Sequence, residues 1–210
     1  VSDSSTPPPE SAPSWPSPEQ RMTLPMSVGT HPCLWPVEEI EKRCQLRTQS
    51  RSGPGGQHRN RTASGAFLTF DSGIPEIGTI TAEATEQRQQ ARNRATALTR
   101  LRFLLAITLR SSSPLGPVVA PNEIRLSQAE LDLRARYRGS PMKMNDENVA
   151  KPGVLTLVLN DLWYAGGQPS LVAPHWKTST SKLVNLVRSQ APAFRLVNQI
   201  RHHHTRPPLR

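Results

Sequence analysis

Arg51-Ser52-Gly53-Pro54-Gly55-Gly56-Gln57-His58-Arg59-Asn60-Arg61-Thr62 places three glycines and a proline beside a glutamine, with arginines on both sides. Glycine reaches backbone conformations closed to other residues and brings bare N–H groups close to a ligand. Proline stiffens the entry to the loop. Arginine holds phosphate oxygens through a planar fork of donors. The stretch reads as a loop that enters a crowded, anionic place and presents backbone there. A phosphate-binding loop and an ordinary flexible turn are the alternatives. It is not a Walker loop, because no Gly-Lys-Ser/Thr follows. It is not a dinucleotide fingerprint, because position 58 is histidine.

Working outward, Cys44 to Ser50 alternates roughly and predicts a strand leading into the loop. Residues 66–70 (Ala-Phe-Leu-Thr-Phe) predict a second strand. Asp71-Ser72-Gly73-Ile74-Pro75 is turn chemistry. Ile77 to Ala82 predicts a third strand with Ile80 inward. A long helix is expected from about Glu86 to Leu109, capped by Thr85, with Ala91, Ala95, Leu98, Leu101, Leu105 and Leu109 as its apolar stripe. Three strands under one helix make a small α+β domain over residues 37–110.

Around that domain the composition changes. Residues 1–36 are rich in proline and serine and predict a disordered tail. Residues 111–122, opening Ser-Ser-Ser-Pro-Leu-Gly-Pro, predict a linker. A small all-helical module is expected over 123–200. Its helices open at the capping box Ser127-Gln128-Ala129-Glu130, at Val154, after Thr178-Ser179-Thr180-Ser181, and at Pro192. Residues 201–210 read as a basic, solvated tail that contacts RNA and contains His202, His203 and His204, with metal binding by the adjacent histidines as the alternative. Lys177 to Lys182, at a helix start, would either hold phosphate or only cap the helix.

The 210-residue chain carries 26 Lys and Arg against 16 Asp and Glu, a net charge of +10. Such a balance calls for an acidic partner, nucleic acid first. No apolar run approaches the roughly 18 residues of a membrane span, so no membrane partner is expected. Cys33 and Cys44 are too few for a disulfide framework and predict free thiols in a reducing compartment. No zinc-like Cys/His spacing occurs, and neither a metal nor a cofactor is expected.

The loop, strands and helix together resemble the catalytic domain of class I peptide chain release factors and their stalled-ribosome rescue relatives. Ser52-Gly53-Pro54-Gly55-Gly56-Gln57 matches the family's loop in full, and Asn60 and Thr62 match the stretch after it. Arg61 stands where lysine is usual, and Arg59 where a small apolar residue is usual. Gln87-Arg88-Gln89-Gln90-Ala91-Arg92-Asn93-Arg94-Ala95 resembles the basic start of the family's helix. The resemblance covers residues 40–108. It implies hydrolysis of the peptidyl-tRNA ester in the ribosomal peptidyl-transferase centre, with Gly55, Gly56 and Gln57 catalytic and His58 positional.

Under that resemblance Arg47, Arg51, Arg59, Asn60, Arg61, Arg88, Arg92 and Arg94 are the expected RNA contacts, with a solvated face as the alternative for each helix arginine. The partners would be ribosomal RNA and peptidyl-tRNA, and the protein a monomer. The compartment would be the cytoplasm, bacterial cytosol first and mitochondrial matrix second. Codon-reading members carry Pro-x-Thr or Ser-Pro-Phe; neither occurs here, which directs the expectation to codon-independent release on stalled ribosomes. A non-catalytic ribosome-binding factor with the same fold is the alternative. A second Gly-Gly-Gln, Gly166-Gly167-Gln168, ends an apolar helix and is read as a helix stop with Pro169 beyond it.

Overall fold

The computed structural model describes residues 14–50, 64–115 and 126–210. In chain order the elements are α1 (Val37–Lys42), β1 (Cys44–Gln49), β2 (Gly65–Asp71), β3 (Thr79–Ala84), α2 (Gln90–Thr108), α3 (Gln128–Tyr137), α4 (Lys151–Tyr164), α5 (Pro169–Val172), α6 (Thr180–Arg188) and α7 (Ala191–His203). The three strands form one antiparallel sheet in the order β1-β2-β3. The fold is α+β, with helices following the sheet. Among the described residues no helix is long and apolar enough to cross a membrane.

The sheet's burial follows strand geometry, in which alternate side chains point to opposite faces. Ala66, Leu68 and Phe70 of β2 and Ile80, Ala82 and Ala84 of β3 form one buried face. Helix α2 lies on that face and supplies Ala97, Leu101, Leu105 and Ala106. β1 is the uncovered edge, with Gln45 to Gln49 exposed. The β2–β3 turn is held by Ser72, whose Oγ donates to the Gly78 carbonyl (2.6 Å), and by the Gly73 N–H donating to Asp71 Oδ1 (3.0 Å).

Helix α2 departs from expectation at its start. It begins at Gln90 with Gln89 as N-cap, not at Glu86 after Thr85. Its buried row is Asn93, Ala97, Leu101 and Leu105, while Ala91 and Ala95 are exposed. The i, i+4 spacing is as expected but the first half is rotated, because a polar residue that finds its partners inside occupies the inward position.

The second core is built around α4, which is buried on every side from Lys151 to Trp163. Leu133 of α3, Val172 of α5, Leu183, Leu186 and Val187 of α6, Ala193 and Val197 of α7, and Phe103 and Ile107 of α2 surround it. The expected capping box is present: Ser127 Oγ accepts from the Glu130 N–H, and Glu130 Oε2 accepts from the Ser127 N–H. At the other end of α4, Gly166 and Gly167 have φ of +58° and +72°. The Gly167 N–H bonds to the Leu162 carbonyl (2.7 Å) and the Gly166 N–H to that of Trp163 (3.1 Å). This is a left-handed helix stop, so the second Gly-Gly-Gln serves as a cap.

Three connecting stretches differ from expectation. Within the expected tail 1–36, residues 14–36 pack against both cores. The Arg110 N–H donates to the Pro25 carbonyl and the Ser27 N–H to that of Arg110, both at 2.8 Å. Trp163 Nε1 donates to the Met22 carbonyl, also at 2.8 Å. The segment has no core of its own and is held by apolar surface and backbone partners from elsewhere. Within the expected linker, Ser111, Ser113 and Leu115 are buried. Asn160 Nδ2 donates to Ser111 Oγ (2.7 Å), and Ser113 Oγ donates to Asp161 Oδ1 (2.6 Å). The expected solvated tail folds back: Arg201 Nη1 and Arg206 Nη1 donate to the carbonyls of Gly167 and Gly166, each at 2.7 Å. Both arginines occupy carbonyls at the end of α4, where a helix dipole favours cations.

His31, fully buried, links segment 14–36 to the end of α2. Its Nδ1 accepts from the Cys33 N–H (3.1 Å), which leaves Nε2–H to donate to the Leu109 carbonyl (3.0 Å). Burial, reinforced by the Arg110 charge, pulls its pKa to about 3. The native state therefore keeps it neutral, while the unfolded chain takes up a proton near pH 6.5. Stability from this group is complete above that pH and is lost as pH falls towards 3. The expected loss is about 2 kcal/mol between pH 7.5 and 5. Urea midpoints across that range measure it, and the slope should flatten in His31→Asn.

Candidate functional site

Two strand ends define the place of the glycine-rich loop. The β1–β2 ladder closes at the pair Gln49 and Gly65, so residues 50–64 form a hairpin connection between paired feet. Gly65 meets a steric demand there. A Cβ on it would lie 2.9 Å from the Gln49 carbonyl oxygen and 3.1 Å from the Thr85 methyl. Any side chain would push the two feet apart. Gly55, Gly56, Gln57, Arg51, Arg59, Asn60 and Arg61 lie in the connection, outside the described residues.

The loop's second foot is fastened by a residue not assigned to the site from sequence. Asn93, fully buried, donates through Nδ2 to the carbonyls of Ser64 (2.6 Å) and Gln87 (2.8 Å), and its Oδ1 accepts from the Gln87 N–H (2.9 Å). One amide thus uses both donor hydrogens and an acceptor lone pair to tie the hairpin to the segment before α2. It also explains the late start of the helix, because the backbone of Gln87 bonds to a side chain instead of to the next turn. An asparagine inside the otherwise apolar row of Ala97, Leu101 and Leu105 was the available signal.

Replacing Asn93 with alanine would leave the Ser64 carbonyl and both backbone groups of Gln87 without these partners. The expected cost is about 2–3 kcal/mol by urea denaturation. Amide exchange should accelerate at Gln87 and Gly65, and Asn93→Leu should not restore it. Unchanged exchange in both variants would remove Asn93 from this role.

Beside this knot, Glu86, Gln87, Arg88, Gln89 and Arg92 line an open concavity of about 360 Å³. Arg88 and Arg92 are exposed, with no carboxylate in ion-pair range among the described residues. Glu86 pairs with Arg100 at 2.9 Å. Backbone N–H groups first, and Arg100 with them, hold its carboxyl below the usual range. A carboxylate stabilised in this way is a weak proton acceptor, and the lining contains no histidine or cysteine. The concavity presents two exposed guanidinium groups beside one paired carboxylate.

The expected RNA contacts therefore separate. Arg88 and Arg92 come together beside the loop's second foot. Arg47 is exposed on β1, two residues before the first foot and opposite Phe67. Arg94 turns towards α1, where Glu41 holds it at 2.6 Å. Among the described residues no group of three His, Cys, Asp or Glu side chains is placed to hold a metal ion.

Residues 37–115 match the family model of the RF-1 domain, which is the catalytic domain of class I release factors. The matched range opens at the first residue of α1 and closes at Leu115, whose side chain is buried in the second core. A search of curated proteins found no match to the chain.

Proposed function

From an RF-1 domain at residues 37–115, a release-factor-like domain that points to peptide release on the ribosome, we propose that this chain hydrolyses peptidyl-tRNA without reading a codon and frees nascent peptides from stalled ribosomes. The observation that carries the reading is the pairing of the two strands that Gly55-Gly56-Gln57 separates in sequence. The tripeptide lies in a hairpin connection whose feet are paired at Gln49 and Gly65, and Asn93 ties the second foot to the arginine-bearing start of α2. Cationic side chains near both feet suit a loop that must enter an RNA-lined cavity.

In the proposed reaction, the oxygen of water attacks the ester carbonyl carbon that joins peptide to tRNA. The carbonyl oxygen takes up negative charge, the ester C–O bond then breaks, and the tRNA hydroxyl leaves with a proton that comes from the water. The backbone N–H of Gln57 donates to the developing oxyanion, a contribution of a few kcal/mol when the donor is held ready. The Gln57 side chain orients the water and keeps larger nucleophiles out. Gly55 and Gly56 leave room for the backbone to come close. RNA contacts by Arg47, Arg51, Arg59, Asn60, Arg61, Arg88 and Arg92 set the loop's depth. Arg94, paired with Glu41, contributes mainly to the domain surface.

Codon independence is the finer part of the proposal; residues 1–210 contain neither Pro-x-Thr nor Ser-Pro-Phe. The test is peptide release from ribosomes stalled on truncated mRNA, run beside ribosomes stopped at a stop codon. Release confined to the stop-codon complexes would overturn the rescue reading. Ribosome binding without release in either would favour a non-catalytic ribosome-binding factor.

A further inference from the structure

All sixteen Asp and Glu residues of the chain lie at or before position 161. Residues 162–210 contain seven Lys and Arg and no carboxylate side chain. This stretch forms α5, α6, α7 and the segment that folds back after them. Arg201 and Arg206 are used internally on the Gly167 and Gly166 carbonyls. Lys177, Lys182, Arg188, Arg195 and Arg210 are exposed, and none has a carboxylate in ion-pair range among the described residues. Asp146, which another segment brings to Gln190, is itself paired with Lys151 at 2.6 Å.

The helices leave these cations free for a partner. α6 buries Leu183, Leu186 and Val187, and α7 buries Ala193, Leu196, Val197 and Ile200. Their exposed positions are cationic or neutral: Ser181, Lys182, Asn185 and Arg188, then Ala191, Arg195, Gln199 and His202. Elsewhere the surface mixes signs, as in Lys42 with Glu39, Arg94 with Glu41 and Arg100 with Glu86. Where signs mix, the charges offset one another, whereas cations without carboxylates sum to a positive potential over the face. A face of one sign is complementary to a polyanion.

We infer that the α6–α7 face is a second RNA-binding surface, which contacts the phosphate backbone of ribosomal RNA. The choice of RNA as the polyanion rests on the ribosomal reading of the RF-1 domain. Position supports the inference as well. The start of α2 holds the loop's foot through Asn93, and Phe103 and Ile107 near its end pack against the helical module. Nineteen helical residues span about 28 Å at 1.5 Å per residue. The cations around the loop and those of the module would therefore grip RNA at two separated points.

The experiment uses the full chain and a triple variant, Lys182→Gln, Arg188→Gln and Arg195→Gln. Affinity for purified ribosomes is measured from 50 to 300 mM KCl. The variant should bind about tenfold or more weakly at 150 mM, and its plot of log affinity against log salt should be shallower by about 2. Its unfolding midpoint should match the wild type. Because Arg188 stacks on the Phe194 ring (5.3 Å), the double variant Lys182→Gln, Arg195→Gln leaves that contact intact and should show about two-thirds of the slope change. Equal affinity and slope for all three proteins would overturn the inference and leave the release reading standing. A loss seen only on vesicles containing phosphatidylglycerol would overturn it in favour of a membrane surface. Failure of the wild type to bind ribosomes at any salt would overturn the release reading together with it.

Discussion

Gly56→Ala is expected to reduce peptide release by at least about 100-fold while changing ribosome affinity less than about twofold. The asymmetry follows from where each kind of energy acts. On the proposed reading, arginine contacts to phosphate would hold the protein and RNA together before and during the reaction, so they would fix affinity. A backbone donor aimed at an oxyanion acts only as charge develops, and removing one such donor costs roughly 10²–10³ in rate. On the proposed reading, a methyl group at position 56 would obstruct the close approach of the backbone that carries the Gln57 N–H, without removing any cation. Single-turnover release from loaded ribosomes, with co-sedimentation as the binding readout, separates the two terms. Equal release by wild type and Gly56→Ala would end the catalytic reading. Gln57→Ala keeps the backbone donor and loses the side chain, so a partial loss should remain measurable beside the larger loss at Gly56.

The largest structural effect is expected at Asp161. This fully buried carboxylate receives Arg134 through both guanidinium arms (2.8 Å each), Ser113 Oγ (2.6 Å) and Trp176 Nε1 (2.7 Å). It thereby joins α3, α4, the stretch after α2 and the turn before α6. Asp161→Ala would leave the Arg134 guanidinium, whose side chain is only 15% exposed, without its counter-charge. Breaking one side of a buried pair costs about 3–5 kcal/mol, a large part of the stability of an ordinary domain. Urea unfolding followed by tryptophan fluorescence should show the loss, since Trp176 donates directly to this carboxylate. Removing both charges together, as Arg134→Met with Asp161→Leu, should recover the part due to the orphaned cation, while Ser113 Oγ and Trp176 Nε1 stay without their acceptor. A loss no smaller in the double variant would show that the cost lies in the lost Ser113 and Trp176 bonds and in packing rather than in the orphaned cation.

What could be read from the residues was what short-range physics decides. β2 and β3 announce themselves by alternation, the Ser127–Glu130 box marks the start of α3, and the paired glycines at 166 and 167 stop α4. The RF-1 match over residues 37–115 agrees with the resemblance carried by the loop and the basic helix. The rest depended on partners far away in the chain. Asn93 lay off the expected stripe of Ala91, Ala95 and Leu98, and its partners Ser64 and Gln87 lie outside the helix. The proline-rich stretch before position 36 has nothing local to bury, yet Met22 and Leu24 pack beside Trp163, Leu196 and Ile200. Arg201 and Arg206 resembled a solvated basic tail because the carbonyls they bind belong to another helix.

The burial of α4 on all sides also sets an order of events during folding. Its wall is assembled from segments on both sides of it in the chain, and the bonds that hold segment 14–36 span long loops. The Trp163 bond to Met22 crosses 141 positions, and that between His203 and Gln20 crosses 183. Contacts of such separation form slowly, because the chain entropy of closing the loop is lost before they reward it. Until α6 and α7 have been synthesised, Val154, Leu155, Leu157, Val158, Leu159 and Leu162 lack the residues that cover them. The sheet and the first half of α2 have mostly local partners and can form early. The helical module is therefore expected to mature late, after a stage in which its most apolar helix is open to association with other chains.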